Sequence, residues 1–272
     1  MKVSVVMTTY NGKRFIKEML DSLRNQTRSI DELLIYDDQS TDGTPQFIEE
    51  YIEKYALTGW NVIVNDTNLG WEKNFLQGLS NASGDVIYPC DQDDIWHLDK
   101  IEKMTLAFEE NPQILLLVSG FHAFSEYGGK MIVQQPVKTE TGSMVSKVVF
   151  NEHYYQILRP GCTMAFRKEL LPPFLENWKS GTPYDAVLWI LAALLDGLYL
   201  YNDTFIEFRR HNTNASRAIS HGYNYKVNEA ERTKLVNSGY RKSIYYNNEK
   251  EPILSACDNW CNLRIQLLKE KN

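Results

Sequence analysis

Residues Leu33–Glu49 read LLIYDDQSTDGTPQFIE, and the fold turns on where this stretch is divided. Counted from Asp38, it puts Asp38, Ser40, Asp42, Gly43 and Glu49 at positions 1, 3, 5, 6 and 12, nearly the spacing of an EF-hand calcium loop. Counted from Leu33, an apolar run is stopped by two acids and a Ser-Thr-Asp-Gly turn, as when a buried parallel strand ends at a ligand-binding rim. An EF-hand loop follows a helix, whereas LLIY is strand-like and Pro45 falls inside the supposed loop. The strand-and-rim division is therefore adopted.

Outward from it, the first 120 residues alternate short β-rich runs with longer amphipathic segments. Strands are predicted over 3–9, 32–37, 60–65, 85–90 and 114–119, and helices over 14–26, 44–56, 74–82 and 98–110. This alternation predicts an α/β fold built on a mainly parallel central sheet. The strands end in Thr8-Thr9-Tyr10, in Asp37-Asp38, in Asn65, Asp66 and Asn68, and in Asp91, Asp93 and Asp94. Right-handed crossovers put all these ends on one edge of the sheet, where ligands bind.

Past residue 120 the alternation stops. FHAFSEYGGKMIVQQP predicts a hairpin turning at Gly128-Gly129, and PGCTMAFRKELL a strand leading into a short helix. YDAVLWILAALLDG predicts a buried helix capped by Gly197, LYLYNDTFIEFRRH two short strands, and residues 223–271 a helical extension. A soft boundary near residue 120 divides one compact unit.

With 272 residues, 43% of them hydrophobic, the chain can bury a large core. Its 29 basic and 35 acidic residues give a net charge of -6 without long single-sign runs, which argues against a nucleic-acid partner. MKVSVVMTTYNG turns polar too early for a secretory signal, and the apolar stretches 114–121 and 186–195 are shorter than the ~20 residues that cross a bilayer. A cytoplasmic location is expected, with a peripheral seat at the inner face of the plasma membrane compatible with it. The four cysteines are scattered, and Cys257 and Cys261 have no second pair at zinc spacing, so free buried thiols are expected.

DQDDIW, Asp91 to Trp96, follows an apolar strand directly. Carboxylates at i, i+2 and i+3 repel one another unless a divalent cation or a donor-rich ligand joins them, and Mg2+ or Mn2+ suits that oxygen chemistry. A cap on the following helix explains one Asp, not three.

MTTYNG (7–12), Asp37-Asp38 with STDGT, NLGWEKNF (68–75) and SGDVIYPCDQDDIW (83–96) resemble, in order and spacing, the nucleotide-diphosphosugar half of glycosyltransferase family 2. DQDDIW looks most like the branch of bacterial rhamnosyltransferases and related surface-polysaccharide enzymes. The resemblance implies a GT-A, Rossmann-like fold and inversion at the anomeric carbon. Residues 1–120 would bind the donor, 121–222 the acceptor and catalytic base, and 223–272 would form the helical extension.

Carried over residue by residue, it implies that Thr9 and Tyr10 line the nucleotide pocket. Asp38, with Asp37 as fallback, would hydrogen-bond the pyrimidine, and Asn68 and Gly70 would wall the ribose and sugar. Asp91 would contact ribose or sugar, Asp93 would ligate the metal (Mn2+ or Mg2+), and Asp94 would bind sugar hydroxyls or cap a helix. Trp96 is read equally as a sugar platform and as core. PGCTMAFR (160–167) resembles the family's acceptor-site floor, and TPYDAVLW (182–189) its acidic catalytic motif, with Tyr184 where an acid or His is common. Asp185 is then the base, a role compatible with capping a helix that starts at Ala186. FRRHNTNAS (208–216) resembles a C-terminal element in which His211 completes the metal shell and Arg210 or Arg209 neutralises the diphosphate.

The expected donor is a UDP- or dTDP-sugar carrying a hexosyl, N-acetylhexosaminyl or rhamnosyl group. The expected acceptor is a hydroxyl of a glycan, lipid-linked or protein-linked. A pyrophosphorylase would need an Arg-containing Gly-rich loop where TTYNGKRF stands, and a D-x-D phosphatase would carry its motif at the first strand. An inactive, scaffold-like sugar-nucleotide binder is the alternative.

Overall fold

The chain, seen in a computed structural model, is described over residues 1–125, 134–212, 214 and 223–270. Its first half contains β1 (Val3–Thr9), α1 (Ile16–Arg24), β2 (Glu32–Asp37), α2 (Thr44–Lys54), β3 (Trp60–Val64), α3 (Trp71–Asn81), β4 (Val86–Asp91), β5 (Ile95–Trp96) and α4 (Lys100–Glu110). Then follow β6 (Leu116–Ser125), β7 (Val145–Lys147), β8 (Met164–Arg167), α5 (Leu171–Asn177), α6 (Tyr184–Leu194), β9 (Leu198–Arg210), α7 (Tyr223–Lys242) and α8 (Glu251–Glu270).

Among the described residues all nine strands join one sheet, in the order β3-β2-β1-β4-β8-β6-β9-β5, with β7 on β9. β1 is buried along its whole length, as a central parallel strand covered on both faces must be. Its odd residues Val3, Val5 and Met7 point into a core with Leu20, Ile35, Tyr88, Met104 and Phe108, while Val6 faces Phe75, Leu79, Phe166 and the residues of α6. β1 pairs in parallel with β2 and β4, and β2 with β3. β8 runs antiparallel between β4 and β6, and β6 and β9 are parallel to each other. Two reversals restore direction, so β6 and β9 point the same way as β1 to β4. The carboxyl ends of six strands and the start of β8 therefore share one rim.

Several elements differ from the sequence reading. The segment 198–210 forms one 13-residue strand, not two. Its turn-like Asn202 and Asp203 are exposed and taken up as a bulge, since Val118 lies opposite Leu200 but Gly120 opposite Thr204. β6 pairs with β9, and the hairpin turn expected at Gly128-Gly129 lies outside the described residues.

Helix α6 is buried on all sides from Ala186 to Leu194, which its nearly all-apolar sequence requires. Gly197 is not its left-handed residue; Asp196 is, at φ 60. Gly197 donates its N–H to Ala192 O at 2.9 Å, and it must lack a side chain because a Cβ there would lie 2.5 Å from Leu115 Cγ. Lys250 completes the cap, donating Nζ to Leu194 O at 2.5 Å and pairing with Asp196 at 2.6 Å. No helix among the described residues is long and apolar enough to cross a membrane.

Candidate active site

At the rim, Asp37 accepts from Thr9 Oγ1 at 2.7 Å and from the amide and hydroxyl of Ser40 at 2.8 and 2.6 Å. Asp38 accepts from Asn65 Nδ2 at 3.0 Å, Leu69 N at 2.7 Å and Gly70 N at 2.8 Å. Asn68 Nδ2 donates to Asp38 O at 3.0 Å. A carboxylate has about four lone-pair sites, so each acid has one left for a ligand N–H. Asp37 has no exposed surface and Asp38 retains 3%, which leaves Asp38 the better placed of the two. Gly70, at φ 81, turns its amide onto Asp38 just before α3, a backbone conformation that favours glycine. Asp42 accepts from the amides of Lys13 and Thr44, each at 3.0 Å, and so closes the turn into α2.

The exit of β1 is tied to the exit of β4 by a residue to which the sequence reading gave no role. Gln92 accepts from Tyr10 N at 2.9 Å and donates to Tyr10 O at 3.1 Å, holding that backbone as a neighbouring strand would. The Tyr10 ring stays half exposed.

Around this clasp the three acids have different surroundings. Asp93 Oδ2 lies 2.6 Å from His211 Nε2 and accepts from Asn214 Nδ2 at 3.0 Å. The His211 ring stacks on Phe15, with centroids 4.5 Å apart. Asp94 accepts from Arg209 N at 3.0 Å through one oxygen, while its other oxygen is buried and has no partner among the described residues. Burial, with Asp93 and Asp91 nearby, pushes the Asp94 carboxyl well up. Burial, then Asp93 and Asp185, push Asp91 up to about 7. An acid cluster carrying an orphaned buried oxygen fits a divalent cation, with Asp93 and His211 as the residues that would hold it.

Asp91, Asp94 and Cys162 also lie close enough to share an ion. A thiol is a poor ligand for Mg2+ or Mn2+, and burial pushes the Cys162 thiol well up, so Cys162 is the poorest metal ligand of the three.

Arg209 is buried and anchors the acidic loop. It donates Nε to Asp93 O at 2.8 Å, pairs with Glu18, and lies over the rings of Phe15 and Phe124. Arg210 is half-buried and lies over the Phe208 ring. Trp96 is core, not platform: it is 1% exposed, and the buried Lys100 ammonium sits 4.2 Å from its ring centroid. Lys100 donates to Cys162 O at 2.9 Å, and burial brings its ammonium down to about 8.

On the other side of the rim, Asp185 occupies the first turn of α6. The helix begins at Tyr184 rather than Ala186, so Asp185 lies inside it and is not its N-cap. Its Oδ1 accepts from Ala186 N at 2.8 Å. Burial raises its carboxyl, and Arg232 on α7 pulls it back down. Asp185 and Asp91, from the two halves of the chain, lie within electrostatic reach of each other.

Tyr184 fills the space where an acid or His was expected. Its ring packs on Phe75 with centroids 4.4 Å apart, and its hydroxyl lies only 2.1 Å from where a Cβ on Gly161 would be. Gly161→Ala is expected to lose about 1–3 kcal/mol of stability by overpacking. Gly161→Ala combined with Tyr184→Phe should recover part of that loss in thermal or urea unfolding.

A family model for "Glycosyl transferase family 2" matches residues 4–173, which include β2 to β8, all of β1 but Val3, and every acid of the rim except Asp185. The chain belongs to glycosyltransferase family 2. This glycosyltransferase is 30% identical over 254 residues to the dTDP-rhamnosyl transferase RfbG of Shigella flexneri, covering 88% of this chain and 82% of that one. It is 32% identical over 149 residues to EpsE of Bacillus subtilis, covering 55% of this chain and about half, 53%, of that protein. Among solved structures, TarS 1-349 of S. aureus in complex with UDP-GlcNAc superposes with a TM-score of 0.71 at 21% identity, over 93% of this chain and 70% of that one. The mannosyltransferase PcManGT of Pyrobaculum calidifontis, in complex with GDP-Man and Mn2+, superposes with a TM-score of 0.60 at 17% identity, over 98% and 73%. The fold of the glycosyltransferase is GT-A.

Gln92 and Arg232 carried no usable sequence signal, whereas Asn214 closes the Arg-His-x-x-Asn spacing of the C-terminal element. Gln92 fills the variable place of D-x-D, and Arg232 is one charge among many on a helix.

Proposed function

We propose that this glycosyltransferase inverts the anomeric carbon as it transfers a sugar from a UDP- or dTDP-sugar to a hydroxyl of a glycan or glycoconjugate. The acceptor is a lipid-linked or protein-linked saccharide of cell-surface polysaccharide or glycoprotein synthesis. The observation that supports this reading is that Asp185 lies within electrostatic reach of Asp91, two residues from the Asp93 that pairs with His211. A base on one side and an anion-organising site on the other are what an in-line displacement needs.

Residues 1–120 hold the donor. Asp38 takes the pyrimidine N–H, Thr9 and Tyr10 flank the base, Asn68 and Gly70 shape the wall, and Asp91 and Asp94 take ribose and sugar hydroxyls. Asp93 and His211 hold Mn2+ or Mg2+, which when bound offsets negative charge on the departing diphosphate. Arg210 adds a second cation there. Residues 121–222 present the acceptor. Asp185 takes the proton of its hydroxyl as that oxygen attacks from the face opposite the leaving phosphate.

A thermal-shift screen of nucleotides with and without Mn2+ tests the donor class, because a ligand that binds only the native state raises its apparent stability. UDP or dTDP with Mn2+ is expected to raise the melting temperature, and GDP to leave it unchanged. A shift with GDP alone, or none with any nucleotide, overturns the donor assignment.

A further inference from the structure

Arg232 is 6% exposed, and no hydrogen bond among the described residues reaches its guanidinium. Its Nε and Nη2 are closed off from solvent, and they form the edge that a carboxylate grips side-on in an ion pair. Neither is so gripped, for no acid forms an ion pair with Arg232 among the described residues. Helix α7, which carries it, packs against α5 and α6. The carboxylate in its field is that of Asp185, on the first turn of α6.

Burying a guanidinium without hydrogen bonds is costly, and a structural role would satisfy it with backbone carbonyls, as Arg167 is satisfied by Ile114 O at 2.8 Å. An unscreened charge in a low-dielectric setting acts strongly on its neighbours. The groups facing Asp185 are Asp91 from β4, Tyr184 from its own helix, Arg232 from α7, and the amides of Ala186 and Gly161. Of these side chains, Asp91 and Tyr184 are acids and Arg232 is the cation.

We infer that Arg232 is a positioning residue for sugar transfer, its buried, fixed charge holding Asp185 in the form that receives the acceptor's proton. The inference rests on Asp185 being the base. The helical extension thereby becomes part of the reaction machinery, because the cation that tunes the base comes from α7.

The sign follows from the surroundings of Asp185. Burial raises its carboxyl and Arg232 opposes that rise, so removing Arg232 raises it further. A base must be unprotonated to work, so the acid limb of the pH profile moves to higher pH.

The test measures acceptor kcat/KM against pH, by nucleotide release at saturating donor, for the wild type, Arg232→Gln, Arg232→Met and Arg232→Lys. The Gln and Met variants are expected to shift the acid limb up by about one unit, roughly a tenfold loss at low pH, with recovery toward the wild-type plateau at high pH. Arg232→Lys keeps the limb near the wild type, and donor KM is unchanged in all three. An acid limb in either neutral variant that superposes on the wild type overturns the inference, as does an equal loss at every pH. If neither neutral variant folds, a limb in Arg232→Lys shifted as far as about one unit overturns it and an unshifted one supports it. Asp185→Asn in the same assay separates the two readings: retained turnover removes the base itself, whereas lost turnover with an unshifted Arg232→Gln limb removes only the role of Arg232.

Discussion

Asp185→Asn is expected to lower sugar transfer by at least about 100-fold while leaving nucleotide binding intact, the range that general-base catalysis supplies. Asparagine keeps the size of the side chain and an oxygen that accepts from Ala186 N, so the first turn of α6 persists. It loses the ability to take a proton. Asp185 lies on α6, from the other half of the chain, and is assigned no contact with the nucleotide, so nucleotide affinity is expected to change little. The discriminating pair of measurements is turnover and nucleotide binding in the presence of Mn2+. Turnover within a few-fold of the wild type ends the base assignment, and parallel loss of both points to a folding defect.

Asp93→Asn is expected to abolish the stimulation of transfer by Mn2+ or Mg2+ and to cost about a thousandfold or more in rate, several kcal/mol of charge stabilisation. The substitution keeps an oxygen within reach of His211 and Asn214 and leaves the backbone carbonyl that accepts from Arg209, so the loop conformation is retained. His211→Ala removes a neutral ligand rather than a charge and is expected to weaken metal affinity with a smaller loss of rate. A metal titration of activity distinguishes them: His211→Ala recovers at high Mn2+, and Asp93→Asn does not. Full Mn2+ stimulation in Asp93→Asn would move the metal to Asp91 and Asp94.

The two substitutions probe parts of the chain that differ in how readable they were. LLIYDD and VIYPCDQDD each couple an apolar strand to a polar stop, and the topology of parallel crossovers then forces their ends together. The rim acids of the first half could be placed in one site from sequence for this reason. β9 was misread as two strands because Asn202 and Asp203 are good turn residues, and only pairing with β6 decides that they form a bulge. Trp96 was ambiguous because an aromatic after a polar turn suits a sugar face and a core equally, until Lys100 and Tyr88 close over it.

Local pattern thus determined the alternation of strands and helices, the buried α6, the exits of β1 to β4 and the family to which they belong. These depend on side-chain period and turn chemistry within a few residues, which a sequence records directly. Tertiary structure alone decided that Arg209 anchors the acidic loop, that Gln92 clasps Tyr10 and that Asn214 joins His211 on Asp93. Each is a contact between residues far apart in the chain or among interchangeable polar neighbours, and its energy depends on distance and burial. Neither quantity exists until the two β reversals at β8 have folded the second half of the sheet onto the same rim as the first.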